Sequence, residues 1–187
     1  MLNKLASDDQ QFIMKAYDTT GGKHVVLSDM SEKRSENGNL HLTLKLAVGA
    51  KVMLTVNVDV SDGPCIAARA KIIDFVTNDN CKIKKILVHF DNANAGLKAM
   101  QASPFRMVHP NTVPLNKHET TFLLRGWRGN DVTRLQFPLT LAWATTNHKV
   151  QGLTLEQIVV DMKGGMFIAA QAYVAFRRVK SLKDCTS

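Results

Sequence analysis

Two short apolar runs that enclose a polar, glycine-containing segment constrain the fold of this chain most strongly. Residues 139–142 (LTLA) and 158–161 (IVVD) have the length and composition of buried strands, and 145–152 (TTNHKVQG) lies between them. Ligands of open α/β sheets bind where strands end and loops begin, so this order predicts a site in the polar segment. Residues 170–179 (AQAYVAFRRV) contain good helix formers without glycine or proline, which predicts a helix.

The polar segment and the predicted helix each match a known sequence pattern. Residues 146–154 read T-x-H-K-x-Q-G-x-T, and residues 171–180 read Q-x-Y-V-A-F-x-R-V-K. In order and separation these blocks resemble the fifth and sixth helicase motifs of the Pif family. That family comprises superfamily-one DNA helicases that travel 5′ to 3′ on single strands, and the Helitron-type helicases are close relatives.

The resemblance implies a role for each matching residue. Arg178 matches the arginine finger, a planar guanidinium that offers paired donors to phosphate oxygens as charge builds in the transition state. Gln151, Gly152 and Gln171 are implied to couple the nucleotide state to DNA. The implied contacts with the DNA backbone are short donors and a cation suited to phosphate, namely Thr146, His148, Lys149 and Thr154.

Several residues depart from the family pattern. Arg177 stands where the family has serine before the finger arginine, so it either crowds the site or substitutes as the phosphate contact. The family's G-L-V-N-G-x-R-G is replaced by residues 63–70 (GPCIAARA), and alanine is strained wherever the turn needs the positive φ of glycine. Such changes leave a decayed, transposon-derived copy open as an interpretation.

Upstream of these motifs, several short strands without intervening helices predict a small β-barrel. A strand is expected over 48–59, and further strands over 69–76 and 82–90, with a hairpin turn at 77–80 (TNDN). Shorter strands are expected at 105–108 and 121–125. This spacing is typical of barrels.

The resemblance extends to this region and implies the fold class. Residues 48–63 (VGAKVMLTVNVDVSDG) look like the start of the SH3-like domain that Pif-type helicases insert into their second RecA-like motor domain. The implied fold is α/β, an incomplete RecA-like second motor lobe of the P-loop NTPase type with an inserted SH3-like β-barrel. Residues 1–40 would begin the lobe, 41–136 would form the barrel, and 137–187 would complete the lobe. Within the first part, 8–17 is either a short helix or the approach to a strand, and 19–22 is a turn.

Positive charge favours a nucleic-acid partner. Lysine and arginine number 24 against 16 acidic residues, a net charge of +8, and such an excess attracts polyanions. Trp127 lies between Arg125 and Arg128 and would stack on a base of any identity while cations neutralise phosphates. The alternative is an ordinary soluble barrel with Trp127 in a minor core. The basic residues of the predicted barrel are Lys71, Lys82, Lys84, Lys85, Lys98, Arg106, Lys117, Arg125, Arg128 and Arg134.

Other sequence features exclude several classes of protein. The cysteines, Cys65, Cys81 and Cys185, are odd in number and widely spaced, which indicates reduced thiols without a disulfide framework or a zinc site. No apolar run has the length of a membrane span. An intracellular protein is expected, and the family implies the nucleus, or also mitochondria, if the source is eukaryotic.

The sequence lacks the elements that hold ATP. It contains neither a G-x-x-x-x-G-K-[ST] loop nor an acidic magnesium-binding strand. ATP and Mg²⁺ are therefore expected in the parent helicase and not on this chain alone. The expected partners are single-stranded DNA and a missing N-terminal motor lobe.

Two functions stay open at this point. The chain is either the C-terminal portion of an ATP-dependent DNA helicase for repair, recombination or telomere maintenance, or a stand-alone single-stranded-DNA-binding module. A decayed helicase remnant is the weaker third interpretation.

Overall fold

The computed structural model describes residues 11–25, 38–63, 66–123 and 131–143, together with 158–159, 177 and 185–186. The chain divides into two compact units, Met1–Trp143 and Ala144–Ser187. The elements of the first unit are β1 (Gln11–Lys15), β2 (Tyr17–Thr20), β3 (Lys23–Val25), β4 (Thr43–Ala47), β5 (Lys51–Leu54), β6 (Arg69–Thr77), β7 (Ile83–Phe90), α1 (Leu97–Gln101), β8 (Val113–Leu115), β9 (His118–Leu123), β10 (Asp131–Gln136) and β11 (Leu139–Leu141). In the second unit, β12 (Ile158–Val159) pairs in parallel with β13 (Cys185–Thr186).

The first unit is built from antiparallel sheets. Five strands run in the order β11-β5-β6-β7-β8, four run in the order β3-β2-β10-β9, and β1 pairs with β4. The core is aliphatic, and Val52, Ile72, Ile86 and Val88 of the five-stranded sheet have no exposed surface. Phe137 is equally buried between β10 and β11 and belongs to the same apolar cluster.

The hairpin of β6 and β7 confirms the strands predicted at 69–76 and 82–90. Its turn is closed by Asn78, whose backbone N–H donates to the Lys82 carbonyl at 2.9 Å and whose side-chain oxygen accepts from the Lys82 N–H at 2.8 Å. Asparagine favours such turns because its side chain hydrogen-bonds the local backbone. The strand expected at 139–142 is present in shorter form as β11, and the strand expected at 158–161 is described at 158–159 as β12. The turn expected at 19–22 lies between β2 and β3. In the segment with two alternatives, 8–17, the described residues form β1 and the start of β2.

The strand predicted over 48–59 is present only as β5, so its predicted length is wrong. The chain turns at Val48 and Gly49, where Gly49 has φ +81°, and β5 ends at Leu54. Beyond that point Asp59 caps a 3₁₀ turn, with its carboxylate accepting from the Ser61 and Asp62 N–H groups. Alternating polarity continues through this turn although the strand geometry does not, so the alternation alone overestimates the strand.

The strand predicted at 105–108 is also wrong, because this segment satisfies its hydrogen bonds locally. The N–H groups of Val108 and His109 both donate to the Phe105 carbonyl, at 3.0 and 2.8 Å. The Ser103 hydroxyl accepts from the Phe105 N–H at 3.2 Å and fixes the start of the turn. The strand expected at 121–125 begins earlier, at His118, and is described as far as Leu123.

The segment that replaces the family's glycine-rich turn contains the expected strain. Ala67 has φ +69°, whereas the neighbouring Ala68 and Ala70 do not have positive φ. The position is fixed by the Ala67 N–H, which donates to the Leu54 carbonyl at 2.9 Å, and by the Leu54 N–H, which donates to the Ala68 carbonyl at 3.0 Å. A side chain with a Cβ is disfavoured in this left-handed conformation by about 1–2 kcal/mol.

Replacing Ala67 with glycine should therefore stabilise the protein. Relief of the left-handed strain is partly offset by the larger entropy of glycine in the unfolded chain, about 0.4–1 kcal/mol, which leaves a net gain of about 0.5–1 kcal/mol. Urea unfolding would measure it as a higher midpoint at unchanged slope. The matched control is Ala68→Gly, which should lower the midpoint because Ala68 has no strain to relieve. A lower midpoint for Ala67→Gly would contradict the assignment.

Candidate nucleic-acid interface

The residues that the helicase motifs single out lie outside the part of the chain that the structure describes. The adjacent Arg177 is described and is exposed. The site residues outside the described ranges are Arg125, Trp127, Arg128, Thr146, His148, Lys149, Gln151, Gly152, Thr154, Gln171 and Arg178. Their roles remain predictions.

Most of the other predicted basic residues are on the surface of the first unit. Lys85 on β7 is half-buried, whereas Lys84 on the same strand and Lys82 in the preceding turn are exposed. The exposed basic residues of the predicted set are Lys71, Lys82, Lys84, Lys98, Arg106 and Lys117. These side chains are available to a polyanion.

Arg134 is the exception, and its prediction as part of the positive surface is wrong. Its side chain is 0% exposed, and the guanidinium forms two parallel hydrogen bonds with the Asp18 carboxylate, Nε to Oδ1 and Nη2 to Oδ2, both at 2.8 Å. Nη1 donates to the Leu40 carbonyl at 3.1 Å. Arg134 and Asp18 face each other on β10 and β2, so this arginine joins two strands internally and its charge is matched.

A row of basic side chains crosses the outer face of the five-stranded sheet. Lys51 on β5 is the direct partner of Lys71 on β6, and Lys71 is the direct partner of His89 on β7. Direct partners point to the same face of a sheet, with Cβ atoms about 4.5–5.5 Å apart. All three side chains are exposed, whereas the adjacent set Val52, Ala70 and Phe90 is buried on the opposite face. We call Lys51, Lys71 and His89 the basic row.

Asp74 and Asp91, the carboxylates nearest in sequence to Lys71 and His89, already contact other basic side chains. Asp91 lies 3.9 Å from Arg69 Nε, and Asp74 lies 3.1 Å from His109 Nε2. Among the described residues, neither Lys51 nor Lys71 has a carboxylate within ion-pair distance. Like charges that face each other across strands destabilise a sheet. An anion bound at the basic row would reduce this repulsion.

His89 has a defined orientation in this row. Its Nδ1 lies 2.8 Å from the Asn111 carbonyl oxygen, and because a carbonyl only accepts, Nδ1 carries the hydrogen. Nε2 is then the ring atom that remains for another group. Sequence reasoning missed both Lys51 and His89, although each is a polar residue between apolar neighbours in a strand, which is the signal for an outward-facing side chain.

A shallow cleft of about 270 Å³ lies elsewhere on the first unit. Its lining includes Asp59, Asp62, Lys117 and His118, but the two carboxylates already cap backbone turns. A hydrogen bond from the Ser61 hydroxyl, together with backbone N–H donors, lowers the pKa of Asp59. Both Asp62 oxygens accept from N–H groups of α1, at 2.9 and 3.0 Å. The cleft therefore lacks a carboxylate free for acid–base chemistry.

The described ranges lack two other kinds of functional feature. They contain no group of three or more histidine, cysteine or acidic side chains that could bind a metal ion. They also contain no helix of the length and apolarity needed to cross a membrane. The basic surfaces thus remain the strongest candidate for a functional region.

Comparison with known proteins identifies the class. No protein-family model matches the chain. The zebrafish (Danio rerio) ATP-dependent DNA helicase PIF1 is 34% identical over 140 residues, which cover 75% of this chain and 18% of that protein. The human protein of the same name is 33% identical over 140 residues, which cover 75% of this chain and 18% of that protein. Both relatives are named as ATP-dependent DNA helicases.

Solved structures agree with the sequence comparison. The crystal structure of Pif1 helicase from Candida albicans matches with a TM-score of 0.65 and 29% identity, over 99% of this chain and 40% of that one. A structure of two coordinating Pif1 helicases at forked duplex DNA matches with a TM-score of 0.62 and 26% identity, over 99% of this chain and 34% of that one. The chain belongs to the Pif1 helicase family, which confirms the predicted family, and its mixed, sheet-rich fold fits a helicase domain. It spans 18% of the length of the curated relatives given above.

Proposed function

We propose that this chain is the C-terminal portion of an ATP-dependent DNA helicase that moves 5′ to 3′, in which it grips single-stranded DNA and supplies an arginine finger. The observation that carries the proposal is its 34% identity over 140 residues to a protein named as an ATP-dependent DNA helicase. In this proposal residues 41–136 form an SH3-like barrel inserted into a RecA-like second motor lobe, which 1–40 begins and 137–187 completes.

The proposal assigns the nucleotide mainly to a partner lobe. The sequence has neither a Walker A loop nor an acidic magnesium-binding strand, so we expect this chain not to hold Mg²⁺ and ATP by itself. The parent helicase would hold both on its N-terminal motor lobe. Arg178, Gln151, Gly152 and Gln171 are this chain's proposed residues toward the nucleotide. In a eukaryote the parent protein would act in the nucleus, or also in mitochondria.

Single-stranded DNA is the proposed partner for physical reasons as well. The exposed Lys82 and Lys84 provide cations for phosphates, and each phosphate that a protein neutralises releases counterions from the nucleic acid. Trp127 adds the ring that nonspecific single-strand sites use for stacking. Thr146, His148, Lys149 and Thr154 are proposed to contact the backbone, and Arg125 and Arg128 flank the ring.

Binding of the purified chain to a labelled single-stranded oligonucleotide, measured across a salt series, tests the proposal. Lys149→Ala should reduce the slope of log K against log salt by about 0.7, the value for one lost phosphate contact on a single strand. Trp127→Ala should weaken binding by about 1–3 kcal/mol at every salt concentration, because stacking is not a charge effect. The matched control is Lys15→Ala, an exposed lysine on β1, which should leave the affinity unchanged.

The possible results separate the proposals. Absence of binding by the wild-type chain at low salt would overturn the DNA grip. Binding that neither Lys149→Ala nor Trp127→Ala weakens would show that the assigned residues are wrong. The stand-alone binding module is favoured by the exposed lysines within the compact unit Met1–Trp143. ATP-dependent unwinding after an N-terminal motor lobe is supplied would exclude that alternative.

A further inference from the structure

We propose that the basic row, Lys51, Lys71 and His89, contacts the phosphate backbone of duplex DNA. The inference rests on the proposed function, because it adds a duplex contact to a chain that grips a single strand. It concerns a different surface from the motif residues and has its own test.

The register gives the row a direction and a length. Lys51, Lys71 and His89 lie side by side on β5, β6 and β7, so the row runs perpendicular to the strands. Neighbouring strands are about 4.7–4.9 Å apart, so three of them span roughly 10 Å. Phosphates of one strand of duplex DNA follow at about 3.4 Å along the helix axis. The row is therefore long enough to meet more than one phosphate of a single backbone.

The charge of the row favours an anion at this position. Lys51 and Lys71 face each other without a carboxylate partner among the described residues, and such an arrangement destabilises the sheet unless a counter-charge binds. His89 is held through Nδ1 by the Asn111 carbonyl at 2.8 Å. Its Nε2 is the ring atom left to donate to a phosphate oxygen when the imidazole is protonated.

The composition of the row favours a duplex over a single strand. Sites for single-stranded nucleic acid combine cations with aromatic rings on which bases stack. The basic row offers two lysine ammonium groups and a histidine whose ring is held by a backbone carbonyl, which are groups suited to phosphate. In a duplex the bases are stacked inside, so contacts that position a protein are made to phosphate. Exposed lysines on a sheet face suit that task.

The test compares the salt dependence of binding to a blunt duplex and to a single strand of equal length. The full chain is compared with the double variant Lys51→Gln/Lys71→Gln. For the duplex, the slope of log K against log salt should fall by about 1.8, because each lost phosphate contact removes about 0.9. For the single strand, the slope should be unchanged. The control is Lys15→Gln/Lys23→Gln, which removes the same charge from two exposed lysines on β1 and β3 and should alter neither slope.

A second measurement does not depend on variants. Acetylation of the wild-type chain, followed by mass spectrometry, should show that the duplex protects Lys51 and Lys71 and leaves Lys15 and Lys23 reactive. The inference is overturned if the wild-type chain does not bind the duplex at low salt, if the row variant behaves like the control, or if the single-strand slope falls equally. None of these results bears on Lys149 and Trp127, so the proposed single-strand grip succeeds or fails separately.

Discussion

Arg134→Met should destabilise the first unit by about 3–5 kcal/mol, the usual loss when one partner of a buried ion pair is removed. The Asp18 side chain is 2% exposed, and without the guanidinium its carboxylate would remain buried and unpaired between β2 and β10. The Leu40 carbonyl would lose its donor as well. Urea unfolding should show a large decrease in the midpoint. An exposed control, Lys84→Met on β7, should stay within about 0.5 kcal/mol of wild type.

A double variant separates the charge from the packing. Asp18→Leu combined with Arg134→Met leaves no buried charge, and apolar replacements of whole buried pairs are often neutral. The remaining loss should be about 1–3 kcal/mol, because the Leu40 carbonyl stays without a donor. A single Arg134→Met variant within about 1 kcal/mol of wild type would contradict the buried pairing.

Arg178→Ala should lower the ATP hydrolysis rate by about 10³–10⁵-fold, the range found for arginine fingers. The assay requires the chain joined to the N-terminal motor lobe of a Pif1 relative, since the chain itself has no phosphate loop. Arg178→Lys should restore little, because lysine keeps the charge and loses the planar pair of donors. Binding of single-stranded DNA in the absence of nucleotide should be unchanged.

The neighbouring arginine is the matched control for this prediction. Arg177 is exposed and stands where the Pif family has serine, so Arg177→Ser returns the chain to the family pattern. Hydrolysis should be retained or increased in that variant. The reverse result, with loss in Arg177→Ser and activity in Arg178→Ala, would assign the finger to Arg177.

The fold was predictable from sequence where local signals agree with the final pairing. Apolar alternation and Asn78 together located the β6–β7 hairpin. The same alternation failed over 48–59, because the left-handed Gly49 and the 3₁₀ turn after Asp59 interrupt the strand without interrupting the polarity pattern. At 105–108 the local hydrogen bonds to Phe105 decide the conformation. Residue propensities do not predict that a turn interrupts the strand in 48–59, or that local hydrogen bonds replace the strand at 105–108.

The candidate functional residues were likewise predictable only in part. The helicase family was predictable from two short motifs, since their residue types and separation are specific. The basic row was not, because it depends on which residues of three strands become direct partners, and register follows from tertiary pairing. The buried position of Arg134 was equally hidden, since an arginine in a strand is on the surface unless a partner such as Asp18 matches its charge.

The carboxylate of Asp62 ties α1 to a distant part of the chain. The helix has five residues, far fewer than the roughly 12–15 that an isolated helix needs to be stable in water. The N–H groups of Lys98 and Ala99 in its first turn donate to the Asp62 carboxylate, 36 and 37 residues earlier in the chain. The whole β6–β7 hairpin lies between Asp62 and the helix in sequence. The helix is therefore not expected to be stable before that hairpin closes. Its appearance during folding becomes a late event that depends on completion of the sheet, and any loss of the hairpin would unwind a helix that lies outside it.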